Sequence, residues 1–490
     1  MLRRAAARAA GATLAVLLAA PGAQADTLRE AFVRVYTTNP ALTGARAGLR
    51  ATDEGVPIAR AGGLPSVNAT GGFNEFVKRS AVNFTSPARV VTGEVSVDVP
   101  VYQGGAVRNS VKAAETRVMA GRADLRSTEA DLFVQTVVAY MDVIRDQSIV
   151  ALNAGNVKVL ETDLQASRDR FEVGDLTRTD VAQADARLAV ARSQAETAAA
   201  QLDASRQAYL QIIGKFPENL EPPPPLPPLP ASPDAAVDVA VANNPALESA
   251  REASKAAGYE VRSAEAQRLP KLSAFGTGDY ANYLDTLDSG GVAGIVLPQS
   301  QTTATVGVQM RLPLFQGGLP GALVRQAQAR KGQALEQVTL AERAVIAEAR
   351  TAFSRYVAAN SVIASSERAV AANELALEGV RAENSVGART VLDVLNAEQE
   401  LLNARVTLVG ARRDAYVAGF ALLAAIGRAE ARDLGLDGGA LYDPAINYRR
   451  VRGSINDWSK DPAPQPVATR TVGIHAPEAA DPGLVTKPAE

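Results

Sequence analysis

The chain of 490 residues contains no cysteine. Disulfides, thiolate metal sites, a cysteine nucleophile and a lipid-modified N-terminal cysteine are therefore excluded together. There is one histidine, His475, and it lies in a Pro- and Ala-rich stretch with no ligand set around it. Aromatic residues make up only 5%, and a net charge of −2 lacks the basic footprint that nucleic-acid binding requires. With no Walker-type glycine loop and no cluster of ligating side chains, neither a cofactor nor an enzymatic activity is expected. Nor does any segment beyond the N-terminal region offer about 18 consecutive apolar residues, the length a spanning helix needs.

What is present is Ala, Leu, Val, Gln, Glu and Arg in quantity, a mixture that favours long helices. Residues 1–25 carry Arg3, Arg4 and Arg8, the apolar run Leu14 to Ala20, and Ala23-Gln24-Ala25 before Asp26. This order is that of a secretory signal. An exported chain without a spanning helix is either soluble beyond the inner membrane or crosses a membrane as strands.

The chain also repeats itself. Asn39-Pro40-Ala41-Leu42 returns as Asn244-Pro245-Ala246-Leu247, and Leu64-Pro65 as Leu269-Pro270. Val99 to Gly105 reads VPVYQGG, and Leu312 to Gly318 reads LPLFQGG. Val173-Gly174 and Asp180 recur as Val386-Gly387 and Asp393. The reading is of a first repeat over 26–214, a proline-rich linker over 215–236, a second repeat over 237–430 and a flexible tail over 431–490. Within the linker, Glu221 to Pro230 has the composition of an extended polyproline hinge.

Each repeat carries the same sequence of periods. The first opens with a helix over Thr27 to Arg60, stopped by Gly62-Gly63-Leu64-Pro65. Strict alternation follows in Val91 to Val101, where Val91, Gly93, Val95, Val97, Val99 and Val101 oppose Thr92, Glu94, Ser96 and Asp98. Ala304, Val306, Val308, Met310 and Leu312 repeat the pattern. Partner strands start after Pro65 and Pro270, predicting hairpins at about 65–101 and 270–314, with tips near Lys78 to Arg89 and Asn282 to Gln301. Proline-free runs then predict long helices over 105–173 and 318–386, each about 100 Å at about 1.5 Å per residue. They turn at Gly174 and Gly387 into return helices over 175–214 and 388–427. Heptads run through both return helices, as Val181, Leu188, Ala195, Leu202 and Tyr209, and as Leu395, Leu402, Val409, Tyr416 and Leu423. Helices with this spacing wind against one another.

Four amphipathic strands cannot close a membrane barrel, since the smallest need about eight. Open ladder edges in lipid would each leave polar groups unsatisfied. Several chains must therefore share one barrel, with eight strands from two chains or twelve from three. Glu94, Asp98, Gln309 and Arg311 would then face the lumen. Pro100 and Pro313 are expected to end the ladders, with Tyr102 and Phe315 at the lipid boundary and Gly104, Gly105, Gly317 and Gly318 turning barrel into rod.

The paired QGG junctions, together with Val386-Gly387-Ala388-Arg389-Thr390-Val391-Leu392-Asp393-Val394-Leu395-Asn396-Ala397-Glu398-Gln399 and Leu401-Leu402-Asn403-Ala404-Arg405, resemble the TolC family of outer-membrane efflux and secretion ducts. The likeness covers about residues 26–430. It implies a mainly α fold with a β-barrel portion: a homotrimer whose twelve-stranded outer-membrane barrel, four strands per chain, continues into a periplasmic α-helical coiled-coil barrel. It implies a passive exit duct for a tripartite efflux pump or type I secretion system. The implied partners are outer-membrane lipid, a periplasmic adaptor and an inner-membrane transporter of RND, ABC or MFS type. The alternative is a structural coiled-coil anchor without transport. The resemblance makes Val173, Gly174, Leu176, Val386 and Gly387, with Arg389, candidate adaptor contacts. It places a carboxylate ring at Asp393 in the periplasmic entrance, with links among Arg389, Asp180 and Thr179 holding it shut. Asn396 stands where a second aspartate can occur, and Asn384 where an aromatic gate residue can occur, so a single charge ring is expected.

Overall fold

The computed structural model describes residues 26–78, 87–287, 294, 296–436 and 441–474. The signal segment 1–25, residues 79–86 of the first hairpin tip, residues 288–293 and 295 of the second, and residues 475–490, with His475, lie outside the described residues.

The N-terminal helical stretch is three helices: α1 (Leu28–Thr38), α2 (Pro40–Asp53) and α3 (Gly55–Ala61). Strands β1 (Ser66–Glu75) and β2 (Arg89–Tyr102) follow, then α4 (Ala106–Glu172) and α5 (Arg178–Ile213). The second half runs α6 (Pro233–Asn243), α7 (Pro245–Glu265), β3 (Lys271–Asn282), β4 (Ser300–Arg311), α8 (Leu319–Ser385) and α9 (Val391–Ala425). Both α4 and α8 have 67 residues, so the two rods are of equal length.

The strands form one antiparallel sheet in the order β1-β2-β3-β4, and the β2–β3 pairing joins the two halves. The register puts Val67, Phe73, Val95, Val97, Val99, Ala274, Val306 and Val308 on one face, because Val67 pairs with Val97, Val99 with Ala274 and Ala274 with Val308. Glu94, Asp98, Asp279, Gln309 and Arg311 occupy the other. Pro100 does not end the ladder: β2 continues to Tyr102 through a bulge. The missing N–H is tolerated because β1 starts its pairing at Ser66 against Asp98, so at Pro100 only β3 is a partner. Pro313 lies beyond the end of β4.

In the helical part, α4 packs against α5, α7 and α9, while α8 packs against α9 and α7. Leu188, Ala195, Leu202 and Tyr209 are buried along α5, and Leu395, Leu402 and Leu423 along α9. The short helices complete the width of the bundle where the return helices stop, and the Asn-Pro pairs make the splice. Asn39 caps α2 by accepting from the Ala41 N–H at 2.8 Å, and its amide donates to the Ile212 carbonyl at the end of α5 at 2.8 Å. Asn244 repeats this, accepting from Ala246 at 2.9 Å and donating to Ala425 at the end of α9 at 3.1 Å. Proline follows because the first helical position has no intrahelical acceptor for its N–H. Asn39→Ala, losing the cap and leaving a carbonyl unpaired, should therefore lower stability by about 1–2 kcal/mol in thermal unfolding. Asn39→Ser, which keeps the cap but not the reach to Ile212, should fall between the two.

Two expectations are corrected. The proline segment is a packed strap rather than a hinge. Three residues per turn bring Pro223, Leu226 and Leu229 to its inner side, and Leu226 and Leu229 pack on the central core. The Tyr140 hydroxyl shares its one proton between the Asp26 and Glu221 carbonyls, at 2.8 and 2.7 Å, and the Tyr416 hydroxyl donates to Pro224 at 3.0 Å. The segment after 431 is not wholly a flexible tail either. Ala431 and Leu436 are buried, and α10 (Ala445–Val451) docks on α2, where Asn447 donates to the fully buried Asp53 at 2.8 Å. The Arg46 guanidinium lies 4.3 Å from the Tyr36 ring and 4.9 Å from Tyr442, clamping this segment to the helices. Composition alone hid both because proline and glycine also serve packed, irregular chain.

Candidate functional site

Two features of the fold stand out as sites: the pair of helical tips and the pair of strand-to-helix junctions. At the first tip Val173 caps the end of α4, Gly174 adopts φ 84°, and Asp175 N–H closes back on the Arg170 carbonyl at 2.8 Å. At the second, Gly387 adopts φ 77° and Ala388 N–H bonds to Glu383 at 2.9 Å. Glycine suits both because a side chain is strained in this left-handed region. Val173 and Val386 stand out into solvent, while Leu176 is half-buried.

Each return helix begins with a reciprocal cap. Thr177 Oγ1 accepts from the Asp180 N–H, and Asp180 Oδ2 accepts from the Thr177 N–H at 2.9 Å and hydroxyl at 2.7 Å. Thr390 and Asp393 do the same, with Asp393 Oδ2 at 3.0 and 2.8 Å from the Thr390 N–H and hydroxyl. These hydrogen bonds, the hydroxyl first, hold both carboxyls below the usual aspartate range, so both are anionic at neutral pH. Within the chain the threonine that bonds Asp180 is Thr177, and Thr-x-x-Asp before a helical run is the signal for it.

Within one chain Arg389 and Asp180 are not brought together. The Arg389 Nε donates to Glu383 at 2.7 Å, and Asn384 donates to the Arg389 carbonyl at 2.8 Å, tying the turn to its own helix. Asn396 does link the hairpins, accepting from Arg187 of α5 at 2.6 Å. Sequence reasoning missed Arg187, along with Arg381 of α8, which donates to the buried Glu398 at 2.6 Å.

The junctions are duplicated to within a few degrees. Gly104 and Gly105 have φ 61° and 84°, and Gly317 and Gly318 have 59° and 83°. Consecutive left-handed glycines swing the chain from strand into rod. A Cβ on Gly104 would stand 2.7 Å from the Ala266 carbonyl oxygen, whereas Gly317 meets nothing in its own chain. Phe315 is almost fully exposed.

The sequence matches the family model for the outer membrane efflux protein over residues 34–215 and 236–428. It is 36% identical over 436 residues to the outer membrane efflux protein BepC of Brucella suis biovar 1, covering 89% of this chain and 92% of that protein. It is 27% identical over 472 residues to the outer membrane protein TolC of Escherichia coli, covering 91% and 93%. Its fold is similar to the crystal structure of the outer membrane protein VceC from Vibrio cholerae, with a TM-score of 0.70 at 22% identity, covering 82% of this chain and 96% of that one.

Proposed function

The chain belongs to the outer membrane efflux protein family, and from that premise we propose that three copies close one continuous duct, entered at the paired tips and leaving through a twelve-stranded barrel. It is an outer-membrane channel for efflux or secretion and performs no enzymatic chemistry. The observation that carries the trimer is the sheet. Its apolar face is open in the isolated chain, with Val306 86% and Val308 69% exposed, and neither β1 nor β4 has a partner on its outer side among the described residues. Lipid covers the face, and a neighbouring chain pairs with each edge, since membrane strands must satisfy every ladder group. Twelve strands leave room for a lumen that eight would fill with side chains.

In this reading residues 26–214 and 237–430 each supply one hairpin and one rod, with 215–236 as the strap between them. Repeat symmetry also places Gly317 of one copy against Ala61 to Leu64 of the next, as Gly104 lies against Ala266 to Leu269 within the chain. The tips meet a periplasmic adaptor, and an inner-membrane transporter of RND, ABC or MFS type supplies the energy.

Three Asp393 carboxylates around the axis make the entrance prefer cations. Asp393→Asn keeps an oxygen for the Thr390 cap and removes the charge, so the helix start survives. In a planar bilayer the wild-type trimer should conduct weakly and prefer cations, and Asn at 393 should lower that preference several-fold. A protein that passes no current in the wild type or in any tip variant is an anchor rather than a duct.

A further inference from the structure

Just above the tips, the two helical hairpins of one chain meet at a buried acidic pair. Glu398, in the second turn of α9, is 5% exposed. Its Oε1 accepts from Arg381 of α8 at 2.6 Å. Its Oε2 and the Asp163 Oδ2 of α4 are both buried and neither has a donor. The two carboxyl groups are hydrogen-bond neighbours. Two acceptors with no donor between them can face one another only if one carries a proton. Two carboxylates against the one guanidinium of Arg381 would otherwise leave a buried charge unpaired.

The other charged groups nearby are engaged elsewhere or have the wrong sign. Arg405 of α9 pairs with Glu374 of α8 at 2.8 Å. On the α5 side Arg187 is held by Asn396, Arg192 by Glu161 at 2.8 Å, and Arg168 of α4 reaches Asp185 at 3.8 Å. Glu378 of α8 lines the same groove and adds a further acid. Apolar contact between the hairpins is thin here. Leu395 is the one fully buried α9 residue in a cluster otherwise built from α4 and α5, with Val391 partly covered beside it. The acidic pair is thus a large share of what joins the second hairpin to the first near the entrance.

Resting on the duct reading, we propose that Glu398 and Asp163 share one proton as a clasp between the hairpins, which holds the entrance shut while the proton is bound and loosens it when the proton leaves. Burial, reinforced by Asp163 and opposed by Arg381, pushes the Glu398 carboxyl up to about 7. In hairpins drawn apart it returns to the ordinary range near 4.5. The closed state binds the proton more tightly, so its advantage is full below that ordinary value and is lost as pH rises through about 7.

The test is the open fraction of the reconstituted trimer at about pH 5 and about pH 8. A rise of about tenfold or more is expected for wild type, since each unit of displaced pKa is a factor of ten. Glu398→Gln and Asp163→Asn each supply a permanent amide donor to the remaining carboxylate, and should stay closed with a flat profile. His475→Ala should keep the wild-type slope. Because the chain has no cysteine, Ala388→Cys carries a single spin label per copy, and distances among the three labels should lengthen from acid to neutral pH in wild type only. A conducting wild type with no pH slope, or a slope or distance change that survives in either amide variant, overturns the clasp. A trimer that never conducts overturns the duct reading instead, and the label distances still report whether the clasp moves.

Discussion

Phe133→Ala should destabilise the protein by about 3–5 kcal/mol, the range for emptying a large aromatic site in a packed core. Phe133 is fully buried near the middle of α4. Its ring lies 4.9 Å from Phe32 and 6.4 Å from Tyr36 of α1, and Phe32 in turn stacks on Phe420 of α9 at 5.6 Å. One cluster therefore ties the first short helix, the first rod and the last return helix, drawn from both repeats. Bundle contacts elsewhere are mostly Ala, Val and Leu in narrow heptad seams. A chain with only 5% aromatics has placed several of them here. Thermal unfolding of the detergent-solubilised protein measures the loss, and Phe133→Leu, which keeps most of the volume, should cost less than about 1.5 kcal/mol. All of these contacts lie within one chain, so the loss should appear in unfolding of the protomer as well as in trimer yield. An alanine variant that melts with wild type would show that the seams, not this core, hold the rods.

The duplicated architecture was legible because two of its signals are strictly periodic. Alternation from Val91 to Val101 returns in Ala304 to Leu312, and the register puts Val91 to Val99 and Ala304 to Met310 on one sheet face. The QGG pairs announced the junctions because few residues besides glycine adopt φ near 60° and 84° in succession. What stayed hidden depends on partners distant in sequence. Asn39 and Asn244 stand out in the sequence only as parts of a repeated Asn-Pro-Ala-Leu, the first inside what reads as one helix, and nothing local says that each reaches a carbonyl more than 170 positions away. Glu398 and Asp163 look like residues on the solvated face of a coiled coil until the fold sets α9 against α4. Asp393 and Asp180 are alike as charges in the sequence, and their local role as caps comes from the threonines three positions earlier. The strap and the docked α10 escaped for a different reason. Chain without regular hydrogen bonding leaves no period to read, and only contacts such as Tyr416 to Pro224 or Asn447 to Asp53 reveal that it is packed.

Aspartate at both Val173 and Val386 should abolish export by the cell while leaving the duct itself intact. The two side chains are 81% and 78% exposed at the ends of the rods, where exposed apolar groups contribute nothing to the stability of the chain. Nothing lies within 4 Å of a Cβ built on Gly174 or Gly387, so the turns are free of neighbours on that side and the fold does not depend on what surrounds them. Trimer yield, melting temperature and bilayer conductance are accordingly expected to match wild type. An adaptor seated on the tips would instead lose a buried apolar contact and acquire an unpaired carboxylate, a change of about 2 kcal/mol at a contact of this kind. That weakens each contact about 30-fold, and a threefold duct presents the pair three times. Drug accumulation or secreted cargo reads the effect in cells, and cross-linking from Ala388→Cys reads the contact directly. If export persists with both valines replaced, the adaptor grips the outer grooves between the rods, and the exposed tip valines have no part in holding it.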